Sequence, residues 1–194
     1  MTSGAVSQCP NRFEKHLMHT CTPEQHIQLQ ALYTCTPEQY FGNKFQKYIK
    51  AQCRYKQQWI YDIIYGQSNE ELLIDEKNWC FCKNTDKGSD RYLVIFKDTS
   101  LKTIRNLTET HLFLLQEVQS RVEQWLKEKY GENKFLFFFH YMPSVFQLHL
   151  HVAAEPPIYE NPRIHHLTQV VENIVKDSYH YKHAVIQTTY EHKR

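Results

Sequence analysis

The segment from residue 146 to residue 153 constrains the fold of this chain more than any other feature. Its apolar and polar residues alternate strictly, which is the period-two pattern of a β-strand with one buried face. The apolar positions expected to face a core are Phe146, Leu148, Leu150 and Val152. The polar positions expected to line the opposite face are Gln147, His149 and His151. Two imidazoles and an amide on one stripe are costly to bury and well placed to converge on a ligand.

The other periodic segments predict a mixture of strands and helices. Short apolar runs between polar turns indicate strands, and apolar residues spaced three or four apart indicate helices. The predicted strands are 72–74, 79–82, 92–96, 134–140, 146–153 and 183–190. Helices are predicted at 37–52, at 107–130 with its end at Gly131, and through Leu167, Val170 and Ile174. Residues 59–65 are predicted to form a short helix or turn, and residues 1–20 a loose arm. This order predicts an α+β fold with a largely antiparallel sheet, flanking helices and a small N-terminal helical or hairpin region.

Composition argues against several classes of protein. The chain has 194 residues, of which 41% are hydrophobic and 23% charged, as in soluble globular domains. Its apolar runs are too short to span a bilayer, and a net charge of +2 is too small to predict binding to bulk DNA or to membranes. The N-terminus lacks the pattern of a signal peptide, and we interpret the six cysteines as reduced thiols. We therefore expect an intracellular protein, in the cytoplasm or also in the nucleus.

Three interpretations of the histidine row remain open from the residues themselves. The row could simply meet water, which is the usual fate of a single histidine. It could also bind a metal, although no third ligand is fixed by the sequence. The interpretation we favour is phosphate chemistry, in which a neutral imidazole attacks phosphorus and nearby polar groups stabilise the phosphoryl oxygens.

The residues around this row resemble a known family. His140, Tyr141, Met142, Pro143 and Ser144, followed by the row itself, are similar to the signature of the scavenger mRNA decapping enzymes, a family of the histidine-triad superfamily. Further likeness lies at 46–50, 59–64, 92–95, 104–108, 171–174 and 180–181, so the resemblance covers roughly residues 38–190.

The resemblance implies a homodimeric hydrolase that uses no metal or other cofactor. Its substrate would be the 7-methylguanosine cap dinucleotide or short capped RNA, cleaved to 7-methylguanosine monophosphate and a diphosphate product. By the same resemblance His149 is the nucleophile, through a phosphohistidine intermediate. The positions that match phosphate-binding residues of the family are His140, Ser144, His151, Lys47 and Lys50.

The resemblance also implies that Trp59 stacks on the methylated base. A flat, cationic 7-methylguanine is attracted to an indole face by stacking and by a cation–π interaction. A carboxylate should then accept the guanine N–H groups, and Glu70 is our choice, with Asn69 and Glu71 as alternatives. Asn84 stands where the family carries an aspartate.

Departures from the family pattern also matter. Gln147 replaces the first histidine of the row, so this position can donate a hydrogen bond to substrate but cannot titrate. The region before the catalytic part is short, and we divide the chain into a reduced N-terminal region, 1–58, and a histidine-triad-like domain, 59–194. Rival functions are a catalytically weak cap- or nucleotide-binding module and a hydrolase of another dinucleoside polyphosphate.

Overall fold

The computed structural model describes residues 34–55, 57–84, 91–154 and 163–187, without the side chains of 52–55 and 187. Its centre is a six-stranded sheet in the order β2-β3-β4-β6-β5-β7, in which every neighbouring pair is antiparallel. The strands are β2 Leu72–Asp75, β3 Trp79–Lys83, β4 Arg91–Phe96, β5 Leu136–His140, β6 His149–Ala153 and β7 Ile164–His166. A separate pair joins β1 Thr34–Cys35 to β8 Ile186–Gln187.

Helices lie between and beside these strands. They are α1 Pro37–Phe41, α2 Asn43–Tyr55, α3 Gln58–Ile64, α4 Leu112–Tyr130, α5 Leu167–Lys176 and α6 His180–His183. Within the described ranges, no helix is both long and apolar enough to cross a membrane. The predicted α+β class with an antiparallel sheet and flanking helices is confirmed.

Both faces of the sheet are apolar over much of their area, but different helices cover them. One face carries Tyr92, Val94 and Phe96 of β4 and packs into the large core that also buries the apolar stripe of α4. The opposite face carries Leu93 and Ile95, which pack with the buried residues of α3. Because α3 reaches only the β2-β3-β4 part of that face, the histidines of β6 beside it stay half-buried.

The predicted helix 37–52 is wrong as a single element, because the structure breaks it at Gly42. Thr36 caps α1 as expected: its hydroxyl accepts from Gln39 N, and the Gln39 side chain accepts from Thr36 N. At Gly42 the backbone turns to an extended conformation, with φ −64° and ψ 144°. A Cβ there would lie 2.8 Å from the carbonyl oxygen of Glu38, so a side chain would force that turn to shift.

The predicted helix 107–130 begins later than its apolar pattern indicates. Two short 3₁₀ turns, Ile104–Asn106 and Glu109–His111, precede α4, which starts at Leu112. The reason is local competition, because Asn106 accepts from backbone N–H groups at 102 and 103 and Thr108 begins a new turn. The predicted end at Gly131 is confirmed, with φ +68°, a conformation that suits glycine.

Strand boundaries also differ from the predicted ones. Strand 146–153 is wrong at its start, since β6 begins only at His149, and strand 134–140 begins at Leu136. Of the predicted strand 183–190, the structure has Ile186–Gln187 as a strand, and 188–190 lie outside the described residues. The short strands β1 and β7 were missed because two or three residues carry no periodic signal. The arm 1–20 also lies outside the described residues.

Arg105 holds three distant parts of the chain together inside the protein. Its side chain is 2% exposed. Its nitrogens donate to the carbonyl oxygens of Cys35 at 2.6 Å, Tyr181 at 2.8 Å and Ala184 at 2.9 Å, and to the Tyr141 hydroxyl at 2.6 Å. Strand β1, the segment around α6 and the start of the histidine motif are therefore fixed to one guanidinium. Residues 34–49 share the large core with the sheet, while the domain boundary at residue 58 stays a prediction.

We expect acid to destabilise the protein through His165. This imidazole lies edge-on to the rings of Tyr141 and Tyr181, and burial lowers its pKa to about 4. The unfolded chain takes up that proton near pH 6.5, so stability is complete above pH 6.5 and falls as the pH drops toward 4, by at most about 1.4 kcal/mol per pH unit. Urea unfolding at pH 7 and pH 5 should show a smaller loss for His165→Phe than for wild type. The exposed variant His183→Phe is the control, and an equal loss in all three proteins would contradict this role.

Candidate active site

Three histidines meet on the half-buried part of the sheet face. His149 and His151 lie two residues apart on β6, and their ring centroids are 5.1 Å apart. His140, at the end of β5, brings its ring centroid to 4.3 Å from that of His151. Phe138 stacks on His151 with an interplanar angle of 11° and holds that ring in place. The predicted convergence of the histidines is therefore present in the fold.

The hydrogen bond of His149 decides which of its nitrogens can react. Its Nδ1 lies 2.7 Å from the main-chain oxygen of Gln147. A carbonyl oxygen only accepts, so Nδ1 carries the proton and the lone pair is on Nε2. Burial lowers the pKa of His149, although the bond to Gln147 opposes that shift. The ring is therefore neutral at pH 7, in the tautomer suited to nucleophilic attack by Nε2.

Gln147 does not share the half-buried stripe with His149 and His151. Its side chain is 0% exposed, and Nε2 donates to the carbonyl oxygens of Phe96 at 2.7 Å and Asp98 at 2.9 Å. The predicted placement on the ligand face is wrong, because the strand has not yet begun at this residue and simple alternation does not apply. The apolar alternation is confirmed, since Phe146, Leu148, Leu150 and Val152 are all buried.

A cleft of about 210 Å³ lies over the neighbouring strands of the same face. Three predicted base-binding residues, Trp59, Glu70 and Asn84, line it together. Trp59 is 44% exposed, so one side of its indole is open to a ligand. The alternatives Asn69 and Glu71 are exposed and do not line the cleft. The other lining residues, which sequence reasoning did not assign, are Ile63, Cys82, Lys83 and Leu93.

Helix α3 holds Trp59 over this cleft because of its own amphipathic pattern. Ile60 and Ile63 are buried against the apolar residues of β3 and β4. Trp59 precedes the first of these by one position, so its side chain points away from the packed stripe. The spacing of the two isoleucines was a signal for this placement.

The cleft and the histidines are neighbours across one strand pair. In the β4–β6 ladder Leu93 is opposite His151, and Ile95 is opposite His149. Residues directly opposite each other project to the same face, and paired strands lie about 4.8 Å apart. Since Leu93 is a wall of the cleft, a ligand seated there lies beside the histidine row.

The charges of the cleft come from its rim. Glu70 and Lys83 are exposed and contribute one carboxylate and one ammonium. The thiol at the floor is neutral, because burial raises the pKa of Cys82 to about 12. Glu70 can accept N–H groups, and Asn84 can donate or accept. Among the described residues, no group of three or more histidine, cysteine or acidic side chains could hold a metal ion.

The other predicted phosphate-binding residues are less closely placed. Ser144 is exposed on the segment between β5 and β6. Lys47 and Lys50 are exposed on α2, whose Phe45 and Ile49 pack into the core, and neither lysine lines the cleft. The structure thus brings Trp59, Glu70 and Asn84 together and groups His140 with the β6 histidines. The binding roles of all these residues stay predictions.

Comparison with known families places the chain. The model of the family described as "Scavenger mRNA decapping enzyme C-term binding" matches residues 58–158, just over half of the chain. The chain belongs to this family. The resemblance predicted from the motif residues is thereby confirmed, and the matched range contains α3, the cleft and the histidine row of this scavenger decapping family member.

Curated relatives carry the name m7GpppX diphosphatase. The protein from Sus scrofa is 27% identical over 148 residues, which are 66% of this chain and 43% of the relative. The Homo sapiens protein is 27% identical over 149 residues with the same coverage, and the Ascaris suum protein is 29% identical over 132 residues, 60% of this chain and 44% of the relative. The chain therefore spans less than half the length of these relatives.

Solved structures resemble the fold more distantly. A histidine triad protein from Clostridium difficile is 16% identical, with a TM-score of 0.47 over 55% of this chain and 98% of that one. The aprataxin ortholog Hnt3, solved in complex with DNA, is also 16% identical, with a TM-score of 0.46 over 62% of this chain and 76% of that one.

The titration of His149 tests the electrostatic description of the site. Because burial disfavours the imidazolium, we expect His149 to stay neutral until the pH falls below about 6.5, the midpoint of an unperturbed histidine. A two-dimensional ¹⁵N NMR titration of the ring nitrogens measures that midpoint, with the urea-unfolded chain as the reference. A midpoint at or above that of the unfolded chain would contradict a His149 ring whose charged form is disfavoured by burial.

Proposed function

We propose that this chain hydrolyses the 7-methylguanosine cap dinucleotide, or short capped RNA, to 7-methylguanosine monophosphate and a diphosphate product. The observation that carries the proposal is the position of a neutral imidazole, with Nε2 as its reactive nitrogen, beside a cleft walled by an exposed tryptophan. Family membership and the name of the relatives support the same substrate class.

The chemistry uses two displacements at one phosphorus. Nε2 of His149 attacks the phosphorus that bears the methylated nucleoside, so an N–P bond forms and the bond to the bridging oxygen breaks. The electron pair of that bond leaves on the diphosphate product. Water then attacks the same phosphorus, the N–P bond breaks, the released proton goes to solvent, and the imidazole regains its lone pair. Throughout, the proton stays on Nδ1 of His149, whose N–H donates to the Gln147 carbonyl oxygen, and this hydrogen bond stabilises the positive charge on the ring.

Base recognition follows from the lining of the cleft. Methylation at N7 makes guanine cationic, so stacking on Trp59 gains a cation–π term that unmethylated guanine lacks. Glu70 accepts the N–H groups of the guanine edge, and Asn84 supplies a further polar contact. Seating the base there directs the phosphate chain along the sheet face toward β6.

Phosphate binding completes the proposal. His151 lies beside His149, and His140 lies beside His151. Both histidines face the phosphoryl oxygens, with Ser144 at the edge of the site. The exposed Lys47 and Lys50 approach the triphosphate as diffuse positive charge, which salt screens over about 10 Å at 0.1 M. We further propose that the active protein is a homodimer and that it acts in the cytoplasm.

We expect His149→Asn to abolish hydrolysis while leaving cap binding intact. The substitution removes the nucleophile but keeps a polar side chain of similar size, and loss of such a residue costs roughly 10³-fold or more in rate. The measurement is separation of products after incubation with the methylated cap dinucleotide, with the exposed variant His183→Asn as the control. Near-normal turnover by His149→Asn would contradict the mechanism. Binding without hydrolysis by the wild type would identify a cap-binding module.

Trp59→Ala should weaken binding of the methylated cap more than binding of its unmethylated analogue. Stacking on an aromatic ring contributes about 1–3 kcal/mol per base, and the cation–π term is added only for the methylated base. Calorimetric titration with both ligands measures the difference. Tyr65→Ala, at the exposed end of α3 and outside the cleft lining, is the matched control. Equal weakening for both ligands would make Trp59 a packing residue.

A further inference from the structure

A buried glutamine ties the helix of the base cleft to the histidine segment. Gln57 precedes α3 and is 1% exposed. Its main-chain oxygen accepts from Ile60 N at 3.2 Å, but its side chain makes no capping bond to the helix. Instead, Oε1 accepts from Phe146 N at 3.0 Å. The start of the helix that carries Trp59 is thus attached to a residue three positions before His149.

A second buried glutamine, Gln147, is the next residue after Phe146. Gln147 Nε2 bridges two carbonyl oxygens at the end of β4, those of Phe96 and Asp98. Its own main-chain oxygen is the acceptor for His149 Nδ1. The side chain therefore fixes the peptide group that selects the tautomer of the nucleophile. The side-chain amide of Gln147, which the sequence pattern assigned to substrate, therefore donates to the main chain instead.

We propose that Gln57 and Gln147 are positioning residues, which together align Nε2 of His149 with the base cleft. Gln147 sets the tautomer and direction of the imidazole, and Gln57 fixes the distance between that imidazole and Trp59. The kinetic part of this inference rests on the proposed function, whereas the tautomer part does not.

The contacts identify which atom of each amide matters. Within the described ranges, Gln57 Nε2 and Gln147 Oε1 are buried and have no hydrogen-bond partner. The side-chain atoms that make hydrogen bonds are therefore Oε1 of Gln57, an acceptor, and Nε2 of Gln147, a donor. Glutamate at position 57 keeps the acceptor, and histidine at position 147 keeps one ring N–H donor, whereas methionine keeps the size of either side chain but neither function.

The first measurement needs no substrate. Ring ¹⁵N shifts of His149 at pH 7.5 report its tautomer, and we expect the Nδ1–H form in wild type. In Gln147→Met the Nε2–H form should become a readily detected fraction, and in Gln147→His, which keeps one donor, that fraction should be smaller but still detectable. A wild-type spectrum for Gln147→Met, with the fold intact by circular dichroism, overturns the role of Gln147. If Gln147→Met does not fold, the same test applies to Gln147→His, whose single donor should give a tautomer ratio between wild type and an unconstrained imidazole; an unchanged ratio overturns the role.

The second measurement is kinetic and concerns Gln57. Loss of one buried hydrogen bond should lower kcat on the methylated cap by about threefold to tenfold in Gln57→Met, with KM little changed and rescue by Gln57→Glu. A double-mutant cycle should show that Gln57→Met and Trp59→Ala are not additive in kcat/KM, whereas the exposed neighbour control, Gln58→Met, is additive with Trp59→Ala. Additive effects of Gln57 and Trp59 overturn the coupling. If the wild type does not cleave caps but Gln147→Met still shifts the tautomer of His149, the proposed function is overturned and the positioning of His149 stays supported.

Discussion

The buried guanidinium of Arg105 is the interaction on which the rest of this structure depends. A buried charge must be compensated, and here carbonyl oxygens from both ends of the described chain and the Tyr141 hydroxyl accept the N–H groups of the guanidinium. The rings of Tyr40 and Tyr141 also lie within 5.5 Å of the cation. Each acceptor is held at a defined place because the charge cannot be left unsolvated. Tyr141 is held in this way just after His140, so the start of the histidine motif has a fixed anchor in the core.

One face of the sheet supplies most of the core, and the other carries the candidate site. One face packs against α4 and α5 through the alternating residues of β4 and β6 and supplies most of the core. The other face is covered only in part, by the short helix α3. Among the described residues, α3 packs on β3 and β4, and the half-buried histidines of β6 lie beside it on the same face. The same helix then supplies the tryptophan that a base would need.

Main-chain groups, more than side-chain pairs, orient His149, the residue that we propose as the nucleophile. The tautomer of His149 is set by the carbonyl oxygen of Gln147. The side chain of Gln147 is in turn held by the carbonyl oxygens of Phe96 and Asp98. The preceding residue, Phe146, is held through its N–H by Gln57. This arrangement explains how a glutamine can occupy the first position of the histidine row. An amide that donates to the main chain does not need to titrate, so the His149 ring keeps its direction without a second imidazole in that place.

Local pattern in the sequence was enough to predict the alternation of β6, the antiparallel α+β class, the end of α4 at Gly131 and the family, because each depends on neighbouring residues or on a contiguous motif. It also singled out Trp59, Glu70 and Asn84, but as separate residues. Only the tertiary structure decided that these three line one cleft and that the cleft adjoins His151, because strand register and helix packing bring together residues that are far apart in the chain. It alone also decided the position of Gln147: the strand begins three residues later than alternation suggests, and the carbonyls of Phe96 and Asp98, about fifty positions away, accept from the amide that a sequence pattern assigns to a ligand.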